Sequence, residues 1–364
     1  MKKTKKIYLL TALMTVVLAI PAQAQQKPLP LADLKAEASA AMKAQNLPGI
    51  SVAVYRDGSG ILAFSVGYAD IEKKIPATPK LRYRLASISK PITAVAVMEL
   101  AAEGKLDLDK PAQQYCAAFK GHPEVTAREL LSHRSGVHHY KSPATEINTI
   151  RYASLSEAVA SFTGDPLEFP AGTRFQYSSY GFTVLGCEIE GASGKSYETF
   201  VRERVIAPAD MHDTAVDDAQ VAAETKVTFY SLHGTTLVHA APLDTSDRLP
   251  GGGWLSTPTD MVKFASVVMS KGLLDEKWKR IMWSEKTLPG DPMHYALGWA
   301  VGAIGDHFMA EHAGGQSGTS TSLVVIPDAH LAVAVFTNRD KADMTSVSHH
   351  IAAEILGALP KPAN

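Results

Sequence analysis

Ser87-Ile88-Ser89-Lys90-Pro91-Ile92-Thr93-Ala94-Val95-Ala96-Val97-Met98-Glu99-Leu100-Ala101-Ala102-Glu103-Gly104 begins with a hydroxyl and an amine close in sequence and continues as an almost unbroken apolar run. A run apolar on nearly all sides and stopped by glycine predicts a buried central helix. Pro91 is tolerated only in the first turn, where backbone N–H groups have no intrahelical partner, so Ser87 falls at or near the helix start. Side chains at that spacing on a helix lie about 5–6 Å apart. An unprotonated Lys90 could therefore take the proton of Ser87 and activate it as a nucleophile. The helix N-terminus favours a developing oxyanion and disfavours an ammonium, which acts in the same direction. The same residues also allow a plainer reading, with Ser87 as a helix cap and Lys90 as a surface charge.

Outward from this helix, the two ends of the chain mirror each other. Asp33 to Gln45 reads as a helix ended by Asn46-Leu47-Pro48-Gly49. Strand-like runs Ile50 to Tyr55 and Ile61 to Tyr68 follow, separated by the hairpin signature Asp57-Gly58-Ser59-Gly60. Near the C-terminus, Tyr295 to Gly302, Ser320 to Ile326 and Leu331 to Thr337 read as strands. A helix near Asp343 to Leu356 follows, with Met344, Val347, Ile351 and Ile355 on one apolar face. The expected class is α/β in the α+β sense: an antiparallel sheet built from both chain ends, flanked by N- and C-terminal helices, with a large, mostly helical insertion. In residue terms, 25–85 and 286–364 form the sheet-containing part and 86–285 the mostly helical part, together one domain of about 33–358. Ser87 falls at their junction, where a cleft is expected.

Met1 to Ala24 has a basic start, an apolar stretch from Ile7 to Ile20 and the small-x-small site Ala22-Gln23-Ala24, the three parts of a secretory signal peptide. The expectation is cleavage near Gln25 and a periplasmic protein with no stable membrane anchor. A formal net charge of −1 gives no field to attract nucleic acid. Cys116 and Cys187 are the only cysteines, and the sequence leaves a disulfide and two buried thiols equally open. The 13 histidines show no metal-ligand spacing, so neither a metal nor another cofactor is expected.

Two further stretches carry chemistry. Tyr177-Ser178-Ser179 precedes an apolar helix-like run, Phe182 to Ile189. At such a junction a phenol can face a cleft, where neighbouring cations would lower its pKa and let it relay protons; a packed aromatic is the alternative. His312-Ala313-Gly314-Gly315 precedes the strand-like run from Ser320. Its glycines allow close approach to backbone, and the Gly315 N–H could join that of Ser87 as an oxyanion hole. His312 could orient substrate as a donor or simply occupy the core. There is no G-x-S-x-G elbow, which argues against an α/β-hydrolase.

In order along the chain come Ser87 to Lys90, Gly104-Lys105-Leu106-Asp107-Leu108-Asp109, Leu130-Leu131-Ser132-His133-Arg134-Ser135-Gly136, Tyr177-Ser178-Ser179, Gly252-Gly253-Trp254-Leu255-Ser256-Thr257 and His312 to Gly315. This series resembles the serine beta-lactamase-related family of class C beta-lactamases, D-alanyl carboxypeptidases, D-aminopeptidases and esterases. The stretches 131–140 and 177–182 are most similar to its animal mitochondrial branch and that branch's bacterial relatives. The resemblance implies Ser87 as nucleophile, Lys90 and Tyr177 as the proton-transfer pair, and the Ser87 and Gly315 N–H groups as the oxyanion hole. Two departures bear on substrate. Ser179 stands where lactamases have asparagine, and His312 stands where they have lysine, so a fixed positive charge becomes a group titrating near pH 6.5. The expected function is an exported serine hydrolase of peptidase or esterase type, acting on a small molecule or peptide. A true beta-lactamase and a catalytically silent, self-associating binding or assembly module are the rivals.

Overall fold

Ile50, Val52 and Val54 point to one face of strand β1 (Gly49–Arg56) while Ser51 and Ala53 point to the other, and all five are buried. A strand buried on both faces must lie inside a sheet that is covered on both sides. The computed structural model describes residues 29–218, 220–284 and 294–357. The signal-peptide segment and the expected boundary near residue 286 lie outside the described residues.

β1 turns through Asp57–Ser59 into β2 (Gly60–Asp70), which carries the short edge strand β3 (Ile75–Pro76). The C-terminal strands are β4 (Ala300–Ile304), β5 (His307–Gln316), β6 (Thr319–Ile326) and β7 (Leu331–Thr337). Together they form a seven-stranded antiparallel sheet in the order β3-β2-β1-β7-β6-β5-β4. The first and last strands are thus central neighbours, with Ile50 opposite Thr337.

One face of the sheet packs on the terminal helices α1 (Leu31–Ala44) and α6 (Met344–Leu356). Val52, Val54, Val333 and Val335 meet Leu34, Ala38, Val347 and Ile351 there. The other face meets the helical body through Ala53, Leu323, Ala334 and Phe336. That body centres on α2 (Ser89–Ala102), buried from Ser89 through Ala101, and includes α3 (Ser179–Ser193), the short α4 (Leu249–Gly252) and α5 (Pro258–Met269). The architecture is the expected one, an antiparallel sheet built from both chain ends with helices on both faces.

The strands differ from the expected ones in one place and extend them in two. Tyr295 to Gly302 is not one strand: Tyr295 makes a single bridge to Ala300, and the strand runs Ala300–Ile304. His312 to Gly315 precedes β6 as read, but it also lies within a strand of its own, β5, which glycine content concealed. The mostly helical part also holds strands: Ala215–Val216 and Trp254–Ser256, which form a three-stranded sheet with Tyr83–Arg84 of the sheet-containing part, and the hairpin Tyr230–His233 and Thr236–His239.

Cys116 and Cys187 are joined in a disulfide across a sequence separation of 71 residues, which decides between the two alternatives. It ties the loop after α2 to α3. Closing a loop of that length removes unfolded-state entropy worth up to about 4 kcal/mol. Replacing both cysteines by alanine is expected to lower stability by about 2–4 kcal/mol in urea unfolding. An unchanged midpoint would show that the bridge contributes nothing.

Candidate active site

The turn that carries Ser87 (Ala86–Ile88) runs directly into α2. Ala86 has φ of 48°, a left-handed conformation that costs a non-glycine residue about 1–2 kcal/mol. Such strain persists only where the surroundings impose it. Here β5 does so. A Cβ on Gly314 would lie 2.3 Å from the Leu85 carbonyl oxygen and 3.2 Å from the Ser87 nitrogen, so only glycine lets the strand approach this closely. Thr321 Oγ1 on β6 donates to the Leu85 carbonyl at 2.9 Å and ties the turn down. The Ser87 side chain caps nothing.

Lys90, one turn along, is fully buried, unlike the surface charge of the plainer reading. Its Nζ lies 3.1 Å from Ser87 Oγ, 3.1 Å from Ser179 Oγ and 2.8 Å from the Gly251 carbonyl oxygen, contacts of which a neutral amine donates two and accepts one. It also lies 4.7 Å from the Tyr177 ring centroid and 5.4 Å from that of Phe182. Burial first, and then the charge of Arg248, hold its pKa well below the ordinary lysine value. An amine in this setting can act as a base.

Tyr177 lies just before α3, and its phenol is hydrogen-bonded to Ser87. Contrary to expectation its pKa is raised. Burial is the main cause and outweighs the Ser87 hydrogen bond; Lys90 sits over the ring face rather than at the oxygen. The phenol stays protonated and is a donor.

His312 departs further from expectation. Its Nδ1 lies 2.6 Å from the Ala313 carbonyl and its Nε2 2.8 Å from the Tyr295 hydroxyl. The carbonyl can only accept, so Nδ1 carries the proton and Nε2 accepts from Tyr295. Burial, with Lys90 nearby, lowers the His312 pKa to about 3. The ring is therefore neutral across the physiological range and has no free donor, rather than titrating near pH 6.5. Gly315 is exposed on the stretch of β5 beyond its last residue paired with β4.

Several neighbours carry no individual signal in sequence. His139 Nδ1 accepts from the Ser179 N–H at 3.1 Å, and burial lowers its pKa to about 4. His133 Nδ1 accepts from the Ser178 N–H at 3.1 Å, and its ring packs 4.2 Å from that of Tyr177. The Tyr140 phenol hydrogen-bonds Ser179. His133, His139 and Tyr140 all lie in the quoted stretch 131–140, whose density of aromatic and histidine side chains was the available signal. Tyr295 and Arg248 come from remote segments with no motif of their own.

The family model described as "Beta-lactamase" matches residues 34–356. The human mitochondrial serine beta-lactamase-like protein LACTB is 27% identical over 77% of this chain and 69% of its own length. A D-stereospecific amidohydrolase from Streptomyces superimposes with a TM-score of 0.77 at 26% identity, covering 90% of this chain and 98% of that one. The octameric penicillin-binding protein homologue from Pyrococcus abyssi shares the fold with a TM-score of 0.80 at 24% identity, covering 90% of this chain and 78% of that one. With the fold, the ordered motifs and the family match all in agreement, the chain belongs to the Beta-lactamase family, the serine beta-lactamase-related proteins.

Proposed function

We propose that the protein is a serine hydrolase that forms an acyl-enzyme on Ser87 and cleaves amide, peptide or ester bonds. The observation that carries this reading is the 3.1 Å contact between Ser87 Oγ and the amine of the fully buried Lys90. Lys90 takes the Ser87 proton as Oγ attacks the substrate carbonyl. The Ser87 and Gly315 N–H groups receive the resulting oxyanion. The proton then passes from Lys90, with Tyr177 as the neutral donor beside Ser87 Oγ, to the leaving amine or alcohol as its bond to carbon breaks. Water attacks the acyl-enzyme by the same route in reverse, releasing the acid and restoring the serine.

The substrate preference follows from charge. His312 is neutral with both nitrogens engaged, and Arg248 is held by Asp247 and two carbonyls. Neither offers a cation to a substrate carboxylate. Beta-lactams carry that carboxylate, so uncharged amides and esters are the better substrates, and Ser179 provides a hydroxyl rather than an amide at the second motif. Export through Met1–Ala24 accords with the Cys116–Cys187 bond, since disulfides persist in oxidising compartments. Among the described residues no helix is long and apolar enough to cross a membrane.

The test is intact mass after exposure to a fluorophosphonate. One adduct is expected on the wild type and none on Ser87→Ala, with hydrolysis of aminoacyl amides or short esters falling by several orders of magnitude. Labelling of Ser87→Ala, or none on either protein, would reject the reading. D- and L-aminoacyl amides, esters and nitrocefin then rank the substrates.

A further inference from the structure

His133 holds Tyr177 from three directions. It lies just past the short helix Ala127–Leu131, and its backbone carbonyl accepts from the Gln176 N–H at 2.8 Å. Its Nδ1 accepts from the Ser178 N–H at 3.1 Å. The two bonds fall on the residues immediately before and after Tyr177. Between them the imidazole packs on the phenol ring itself, with centroids 4.2 Å apart and planes tilted by 41°. The chain is pinned again at Ser178, whose Oγ accepts from the Gly181 N–H at 3.0 Å and donates to the His138 carbonyl at 2.8 Å.

Nothing in this arrangement favours stability for its own sake. His133 has φ of 58°, a left-handed backbone that a non-glycine residue keeps only where its surroundings impose it. Because Nδ1 accepts, the proton of the neutral ring sits on Nε2, and that atom is buried with no hydrogen-bond partner among the described residues. The residue is 1% exposed, closed in by the rings of Tyr295 at 4.6 Å and Phe182 at 5.3 Å. Phenylalanine or leucine would fill such a space without stranding an N–H. Neither could accept from Ser178 while packing on Tyr177. Burial, and then the charge of Lys90, hold the His133 pKa well below the ordinary histidine value, which leaves Nδ1 open as an acceptor.

We propose that His133 is a positioning residue for Tyr177, fixing the phenol against Ser87 Oγ so that it can hand its proton to the leaving group. The inference rests on the acyl-enzyme reading, with Tyr177 as the neutral donor. In that step the carbon–oxygen or carbon–nitrogen bond of the tetrahedral adduct breaks, its electron pair goes to the leaving atom, and the phenol proton joins that atom. The proton that Lys90 took from Ser87 then restores the phenol. A donor displaced by about 1 Å can lose about 10²-fold in such a transfer, so the grip on both sides of Tyr177 bears directly on rate.

The experiment compares kcat/KM for two acetate esters. p-Nitrophenyl acetate loses a phenolate that needs no proton, whereas ethyl acetate loses an alkoxide that does. Tyr177→Phe should therefore lower the ratio of ethyl to p-nitrophenyl ester hydrolysis by about 10²-fold. His133→Ala should lower the same ratio by about tenfold, and should lower it no further in the Tyr177→Phe background, because it acts through that phenol. A merely structural role would slow both esters alike, so an unchanged ratio overturns the proposal, as does a fully additive loss in the double variant. Should His133→Ala fail to fold, His133→Asn tolerates the left-handed backbone and keeps an acceptor for Ser178 but lacks the ring. Its ratio should fall as well, and a ratio that stays would overturn the proposal. If Ser87→Ala keeps wild-type turnover, or Tyr177→Phe leaves the ratio untouched, the reading of the site fails and takes the inference with it. If Tyr177→Phe lowers the ratio and the His133 variants do not, only the inference about His133 falls.

Discussion

Lys90→Met is expected to abolish turnover while relieving the fold of a burden whose size depends on pH. The catalytic loss should be about 10²–10⁴-fold, the usual contribution of a positioned base, and more if serine and lysine act as a unit. The stability effect follows from the amine being fully buried with its pKa well below the ordinary value. Between that lowered pKa and the unfolded value near 10.5, the unfolded chain binds a proton at Lys90 that the folded chain does not. Wild-type stability therefore rises with pH through that window, by at most about 1.4 kcal/mol per unit. Methionine abolishes this slope. Against it stands the Gly251 carbonyl, left without its partner at about 1–3 kcal/mol, while Ser179 keeps Tyr140. The variant should thus compare best with wild type in acid and worst toward pH 10. Urea unfolding across pH decides; parallel curves would mean that Lys90 is charged in the folded protein.

Glu188 presents the opposite sign. It lies on α3, fully buried, and neither carboxylate oxygen has a hydrogen-bond partner. Burial raises its pKa well above 4.5, so the folded chain holds a proton that the unfolded chain releases. Stability contributed by this group is intact below the unfolded value and falls as pH rises toward the folded one, by at most about 1.4 kcal/mol per unit. Glu188→Gln should flatten that decline, and Glu188→Met should raise stability at neutral pH by about 1–3 kcal/mol, the cost of an unsatisfied buried polar group. Thermal unfolding of both variants at several pH values checks this. A destabilised Glu188→Met would show that the carboxyl has a partner, such as a buried water, that helps the fold.

What the sequence made legible was whatever is encoded locally. The helix after Lys90 could be read because an apolar run ended by glycine admits one burial pattern. The N-terminal hairpin could be read because Asp57-Gly58-Ser59-Gly60 separates two apolar runs. β5 was obscured because Gly314 is there for a tertiary reason, the approach of the strand to Leu85 and Thr321, which leaves no periodicity behind. The same division runs through the site. Ser87, Lys90, Tyr177, Ser179 and His312 stood out by motif. The shifts at Tyr177 and His312 did not, since each comes first from burial, which only the folded chain supplies.

The pairing of β1 with β7 has a temporal consequence. Thr337 Oγ1 donates to the Gly49 carbonyl across 288 residues, and Thr321 reaches Leu85 across 236. A growing chain holds Ser87 and Lys90 long before it holds the strands that bury and strain them. Such long-range closure makes for slow folding, so nascent molecules stay unlocked until the last strands arrive. By the same logic a chain still missing its last strands can neither strain the Ser87 turn nor bury Lys90, so any chemistry built on the pair waits for the C-terminus to arrive.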